Sequence, residues 1–331
     1  MKNIVNIVSQ ILAKDSQKLK GISVRPAVEA GILLAHVLNK SQGWILAHGD
    51  HQLNKKELLA YSRLLARRLQ GEPLAYVLGD QEFYGLPFKV NKHVLIPRPE
   101  TEMMVDITTR NAQRATQKTI IVDIGTGSGA IIVSLAKNIK KTIRQRRTSQ
   151  KLEFFAIDIS SKALSVAKQN AKLNGVDKDI TFLKGNLLEP LLSFRTRTGV
   201  RNRFNVATSS KGFFTPLRFV QNDSEENKII ITANLPYLKT TLPGLTKSQK
   251  HDLSFEPRLA LVAGTDGLKY YRQLAKQIHA LKKLYPKLVI ELLAEIDPDQ
   301  VKPMRQIFSF AKNIEIKKDF RKLNRLMIFE L

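Results

Sequence analysis

An α/β fold is predicted, with a doubly wound sheet preceded by a small helical bundle. Three observations predict it. First, Thr119-Ile120-Ile121-Val122-Asp123 reads as a β-branched strand running into Gly125-Thr126-Gly127-Ser128-Gly129, and Ala130 to Ala136 then reads as a helix. Strand, glycine loop and helix make the nucleotide-binding corner of a doubly wound fold. Second, Phe154-Phe155-Ala156-Ile157-Asp158 is an apolar strand closed by an acid. That position suits a carboxylate accepting from ribose hydroxyls. Third, aliphatic residues before Leu69 recur at helical spacing with no strand pattern among them.

Taken in order, Ile4, Val5, Ile7, Val8, Ile11 and Leu12 form a first stripe. Val28, Ile32, Leu33, Val37 and Leu38 form a second, and Leu58, Leu59, Leu64, Leu65 and Leu69 a third. Such stripes are core faces of helices and carry no chemistry. Phe83 to Val90 reads as two extended pieces around Gly85-Leu86-Pro87, a hairpin joining two domains. After the glycine loop, Lys137 to Lys151 holds seven Lys or Arg and no acid, and reads as a solvated loop. It explains why Asp158 stands further from Gly129 than the roughly 20 residues of the usual fingerprint. Ile229-Ile230-Ile231 reads as a buried strand, Lys269 to Leu284 as a helix, and Lys287 to Leu293 and Leu326 to Leu331 as closing strands. The polar stretch 193–227 reads as a surface insertion.

Composition narrows the classes. At 331 residues two domains are expected. No apolar run reaches the ~18 residues of a membrane span, and the first residues lead into an amphipathic helix rather than a signal peptide. There is no cysteine, and the six His form no metal-ligand spacing, so no metal site is expected. A cytoplasmic protein and a monomer are expected. Lys and Arg exceed Asp and Glu by 54 to 29, a net +25. That balance suits weak, salt-sensitive contact with polyanions, densest at Arg144/Arg146/Arg147 and Arg195/Arg197/Arg201/Arg203. A general basic bias fits the same numbers.

The chemistry concentrates at Asn234-Leu235-Pro236-Tyr237, just past the Ile229–Ile231 strand. The Asn234 side-chain oxygen can accept one hydrogen bond from a planar NH2 group, and the Leu235 carbonyl the other. Pro236 biases Leu235 toward extended backbone, which aims that carbonyl. Tyr237 offers a face for stacking. The tetrapeptide suits methylation of an amide or exocyclic amine nitrogen, provided a methyl donor sits beside it. The same residues also fit a plain strand followed by a turn.

Glycine loop, Asp158 and tetrapeptide together resemble the class I S-adenosylmethionine methyltransferases, a Rossmann-like fold. Val94-Leu95-Ile96-Pro97-Arg98-Pro99-Glu100-Thr101-Glu102 looks like the opening signature of HemK-type release-factor glutamine methyltransferases. Gly71 to Gly79, Phe83 to Val90, Phe255 to Leu261 and Asp266-Gly267 also look like that family. The resemblance implies a helical release-factor-docking domain over 1–80, a hairpin linker over 81–97 and a catalytic domain over 98–331. Insertions would fall at 137–151 and 193–227. It implies that the sheet ends with an antiparallel strand. It implies S-adenosyl-L-methionine at Gly125, Thr126, Gly127, Ser128, Gly129, Asp158, Asn186, Leu187 and Asn234. The substrate would lie against Asn234, Leu235, Pro236 and Tyr237, with Asn234 and Tyr237 catalytic. The partner implied is a peptide chain release factor, methylated on the glutamine amide of its Gly-Gly-Gln loop. Two positions depart from the family pattern: Leu235 stands where a Pro is usual, and Asn186 where an acid usually reads the adenine amine. An adenine-N6 methyltransferase on DNA or RNA, a ribosomal-protein glutamine methyltransferase and a non-catalytic binding factor are the alternatives.

Overall fold

The computed structural model describes residues 6–115, 118–146, 152–192, 227–241, 251 and 253–331. The chain divides into two compact units, Met1–Asp80 with Leu245–Phe255, and Gln81–Gly244 with Glu256–Leu331.

The first unit is helical: α1 (Val8–Leu19), α2 (Pro26–Leu38), α3 (Gln42–Ala47), α4 (Lys55–Leu69) and α5 (Leu74–Leu78). Local chemistry sets their ends. Pro26 opens α2, and Asn39, left-handed at φ 51°, closes it. Asn54 and Glu57 form a reciprocal cap on α4, Asn54 Oδ1 accepting from the Glu57 amide at 3.0 Å. Leu19, Leu33, Leu34, Ile45, Tyr61 and Leu65 form the core. Arg68, itself buried, donates to Glu29 at 2.7 Å across that core. Three stripe residues depart from expectation. Ile7 pairs with Gln52 in a β-bridge rather than sitting in a helix, and Val28 and Leu59 face outward, 43% and 55% exposed. Ile4 and Val5 lie outside the described residues.

From Gln81 on, the second unit holds a hairpin of β1 (Asp80–Phe83), whose first residue closes the first unit, and β2 (Leu86–Lys89), turning at Tyr84-Gly85. Then follow α6 (Glu102–Arg114), β3 (Thr119–Ile124), α7 (Ala130–Arg146), β4 (Leu152–Asp158), α8 (Ser161–Leu173), β5 (Ile180–Lys184) and α9 (Glu189–Leu192). After the undescribed stretch come β6 (Lys228–Ala233), α10 (Arg258–Leu261), α11 (Lys269–Leu284), β7 (Val289–Glu295), α12 (Val301–Ile307), β8 (Asn313–Lys318) and β9 (Asn324–Glu330). Among the described residues, seven strands form one sheet in the order β5-β4-β3-β6-β7-β9-β8. β3 to β7 run parallel, and β9 runs antiparallel to β7 and β8.

Alternation along each strand shows why both faces are covered. Ile120, Val122, Ile124, Ile229 and Ile231 pack with Leu274, Ile278 and Leu281 of α11. Ile121, Phe154, Ala156 and Ile230 pack on the other face with α6 and α7. Each such aliphatic side chain contributes ~1.5–3 kcal/mol on full burial.

The sequence reading needs three corrections here. Lys137 to Arg146 is not a loop but the second half of α7. Ile139 is fully buried and continues the stripe of Ile132, Leu135 and Ala136. Lys and Arg are good helix formers, so their density does not break it. Residues 147–151 and 193–226, with the Arg195–Arg203 patch, lie outside the described residues. Asn227 is no surface residue: it is buried, and its carbonyl accepts from the Val289 amide at 3.0 Å. β8 went unanticipated, although Ile314 and Ile316 alternate with polar neighbours as an edge strand should. Among the described residues no helix is long and apolar enough to cross a membrane.

Candidate active site

In a doubly wound sheet the ligand cleft forms where strand order reverses. Here the reversal lies between β3 and β6. A cavity of about 1120 Å³, counted to open solvent, sits there.

One side is built from the glycine loop and the side chains that hold it. Gly125 and Thr126 both donate their amides to the Ile157 carbonyl, at 2.8 and 3.0 Å, tying the loop to the end of β4. Gly125, Gly127 and Gly129 have φ of 68°, 55° and 80°, a region that penalises any side chain. Asp158 closes β4. Its Oδ2 accepts from the Gly127 amide at 2.9 Å and its Oδ1 from the Ser160 amide at 2.8 Å. Burial raises its pKa, and those amides pull it back down. Behind the loop, Asp123 is fully buried and accepts from the hydroxyls of Thr126 (2.6 Å) and Thr232 (2.8 Å). Burial pushes it up to about 7, against those two hydrogen bonds and with help from the Asp158 charge. Buried Asn170 stitches the loop to the hairpin. It donates to the Ser128 and Lys89 carbonyls, at 2.8 and 2.9 Å, and accepts from the Lys89 amide at 2.6 Å.

The other side is built from side chains drawn from distant segments. Asn234 Nδ2 donates to Thr101 Oγ1 at 3.0 Å, and Thr101 Oγ1 donates to Glu295 Oε2 at 2.6 Å. Burial pushes Glu295 up to about 7. Glu256 accepts from the Ile96 amide at 3.2 Å and pairs with Arg98, which ties the Val94–Glu102 segment to the Phe255–Leu261 segment. Gly267 lies against the Tyr237 carbonyl so closely that a Cβ there would meet that oxygen at 2.0 Å. Gln300 Nε2 donates to the Tyr237 and Gly267 carbonyls, at 3.2 and 3.3 Å, and holds that approach.

The cavity wall gathers Gly125, Thr126, Gly127, Ser128, Asp158, Asn186, Leu187, Asn234, Leu235 and Pro236. Asn186 Nδ2 donates to Glu189 at 3.1 Å, while Leu187 takes a left-handed φ of 55°. Two sequence-derived candidates lie off the wall. Gly129 instead lets the loop press on α8, where an added Cβ would meet that of Ala167 at 3.1 Å. The Tyr237 ring lies near Glu295, Arg325 and Arg98, and burial raises its phenol. The tyrosine on the wall is Tyr270. Sequence reasoning missed Thr101, Asn170, Glu256, Tyr270 and Glu295 as site residues. Thr101 and Glu256 sit inside segments it singled out, which was the available signal.

Sheet order, glycine loop and cleft define a methyltransferase fold, and the comparisons agree. A family profile described as "Methyltransferase domain" matches residues 115–253, and one described as "PrmC N-terminal domain" matches residues 10–79. The chain is 32% identical to a release factor glutamine methyltransferase of Flavobacterium psychrophilum, covering 84% of this chain and 82% of that protein. It is 32% identical to one of Vibrio cholerae, covering 82% and 78%. It belongs to the release factor glutamine methyltransferase family. It is also 32% identical to a bifunctional methyltransferase of Rickettsia felis over 97% of this chain, but spans only 58% of that relative. Among solved structures, the hMettl16 catalytic domain in complex with an RNA hairpin is similar at 15% identity, covering 80% of this chain and 81% of that one with a TM-score of 0.47.

Proposed function

We propose that the chain transfers a methyl group from S-adenosyl-L-methionine to the side-chain amide nitrogen of the glutamine in a release factor's Gly-Gly-Gln loop. The observation that carries this is Asn234. Its NH2 is committed to Thr101, and among the described residues no hydrogen bond engages its Oδ1. That acceptor belongs to the same cavity as the glycine loop and Asp158.

The residues present fit the donor. The cavity wall brings the glycine loop, Asp158 and Asn186 together. The loop is threaded at positive φ and so presents bare backbone to a ligand. Asp158 accepts from the Gly127, Ser160 and Ile159 amides, and its two oxygens keep a lone pair between them for a ribose hydroxyl. Asn186 spends its NH2 on Glu189 and keeps its carbonyl for an adenine amine. When bound, the donor supplies an electrophilic methyl on a sulfonium.

The chain's own work is orientation. An amide nitrogen is a weak nucleophile because its lone pair is delocalised into the carbonyl. Asn234 Oδ1 and the Leu235 carbonyl would each accept one N–H of the substrate. That turns the nitrogen lone pair toward the methyl and favours the positive charge that develops there. The proton lost afterwards is acidic, so no strong base is needed. The family signature and the relatives' names support the release factor as substrate.

The test is labelled donor offered to release factor, ribosomal protein, RNA and DNA, followed by mass spectrometry of the labelled product. Methyl on the Gly-Gly-Gln glutamine supports the proposal. Label on adenine, or on no substrate, overturns it.

A further inference from the structure

Behind Asn234 stand two buried groups that the reaction, as derived above, does not use. Thr101 ends a 3-10 turn (Pro99–Thr101), and Glu295 ends β7; they are 4% and 3% exposed. They form one directed chain: Asn234 Nδ2–H to Thr101 Oγ1, and Thr101 Oγ1–H to Glu295 Oε2. Direction matters because a threonine hydroxyl has a single proton. An ionised carboxylate accepts only, so it takes that proton. The Thr101 oxygen can then only accept, and Asn234 must turn its NH2 toward it.

We propose that Glu295, acting through Thr101, is a positioning residue that fixes which end of the Asn234 amide faces the substrate. This rests on the reading of Asn234 Oδ1 as the acceptor for the substrate NH2. Protonation of Glu295 removes that constraint and lets the chain reverse. The acid donates to Thr101, and Thr101 turns its own proton toward Asn234. The Asn234 amide rotates by half a turn, and its NH2 then meets the substrate NH2, donor against donor.

The surroundings set where this reversal falls. Burial and Glu100 disfavour the charge on Glu295, whereas Thr101, Arg325 on β9 and Arg98 favour it. The half-buried Tyr237 phenol also lies close, and the Tyr271 hydroxyl donates to the Glu295 backbone carbonyl at 2.5 Å. The carboxyl titrates at about 7, so the reversal falls near neutrality.

The experiment is single-turnover methylation of a Gln-containing peptide, at saturating donor and substrate, from pH 6 to 8.5. Wild type, Thr101→Ser, Thr101→Val, Glu295→Gln and Asn234→Ala are compared, with donor affinity measured alongside. The wild-type rate should rise through about pH 7 while donor affinity stays flat. Thr101→Ser should keep both rate and rise. Thr101→Val and Glu295→Gln should lose the rise and run roughly tenfold slower at pH 8, the loss of one hydrogen bond to a charged group. A rise that persists in Glu295→Gln, or full activity in Thr101→Val, overturns the inference. A uniform loss at every pH with the rise intact marks a merely structural role and also overturns it. Asn234→Ala separates the two levels. If it is inactive while Thr101→Val and Glu295→Gln behave as wild type, only this inference fails. If it is fully active, the underlying reading of the site fails.

Discussion

The two sides of the cavity are held by different means. The proposed donor side is held by backbone amides within one stretch of chain: Gly125 and Thr126 donate to the Ile157 carbonyl, and Gly127 to the Asp158 carboxylate. The acceptor side is side chain bonded to side chain across the whole unit: Asn234 to Thr101, Thr101 to Glu295, Arg98 to Glu256. The first is built from glycine's conformational freedom and strand geometry. The second depends on particular oxygens and protons in particular places. Changes on the donor side should therefore act on donor affinity, and changes on the acceptor side on turnover.

The largest effect is expected at Asn234. Asn234→Ala removes the oriented acceptor and should lower turnover by ~10²–10³-fold, by analogy with loss of an oxyanion-hole donor. Steady-state rates with a release factor check this, and near-normal turnover breaks the comparison at once. Next comes Gly267→Ala. Its φ is 77° and the new Cβ would meet the Tyr237 carbonyl, so the tetrapeptide must shift. Strain of ~1–3 kcal/mol is expected, lowering the melting temperature and the turnover together. A stable variant of full activity would show that the close approach does not position the site.

Asp158→Ala should weaken donor binding by ~1–3 kcal/mol. It also leaves the Gly127 and Ser160 amides without their acceptor. Calorimetry with the donor tests it, and unchanged affinity would place the ribose elsewhere.

Legibility in the sequence followed the same division. Strand, glycine loop, helix and acid lie within 119–158, and their local pattern announces both fold and donor side. The continuous apolar runs of β3, β4 and β6 need no tertiary knowledge to be read as buried strands. On the acceptor side the tetrapeptide was readable as chemistry, but its support was not. No local rule connects Thr101 to residue 234, or Glu295 to either, because only the β6–β7 register and the 3-10 turn bring them together. Tyr237 shows the limit from the other direction: the motif suggests a stacking face, and no local pattern announces the Glu295, Arg325 and Arg98 that surround the ring.

An effect on stability, separate from turnover and donor affinity, is expected at Glu295. Its ordinary value of 4.5 rises to about 7 in the fold, so the folded state favours the protonated form. Stability from this group is complete below about pH 4.5 and is lost as pH rises through 7. At ~1.36 kcal/mol per unit the loss amounts to a few kcal/mol at most. Glu295→Gln should therefore melt close to wild type at pH 5 and above it at pH 8. A gap that shrinks with rising pH would contradict the sign. If the charge that orients Asn234 also weakens the fold, activity and stability oppose each other at this one carboxyl.

The division of labour itself is tested most directly by donor affinity in Asn234→Ala and Asp158→Ala, measured by calorimetry without substrate. The account predicts a large loss for Asp158→Ala, and for Asn234→Ala a change within about threefold, well under 1.4 kcal/mol. Equal losses in both variants would contradict it, because Asn234 would then be serving the donor rather than the substrate amide.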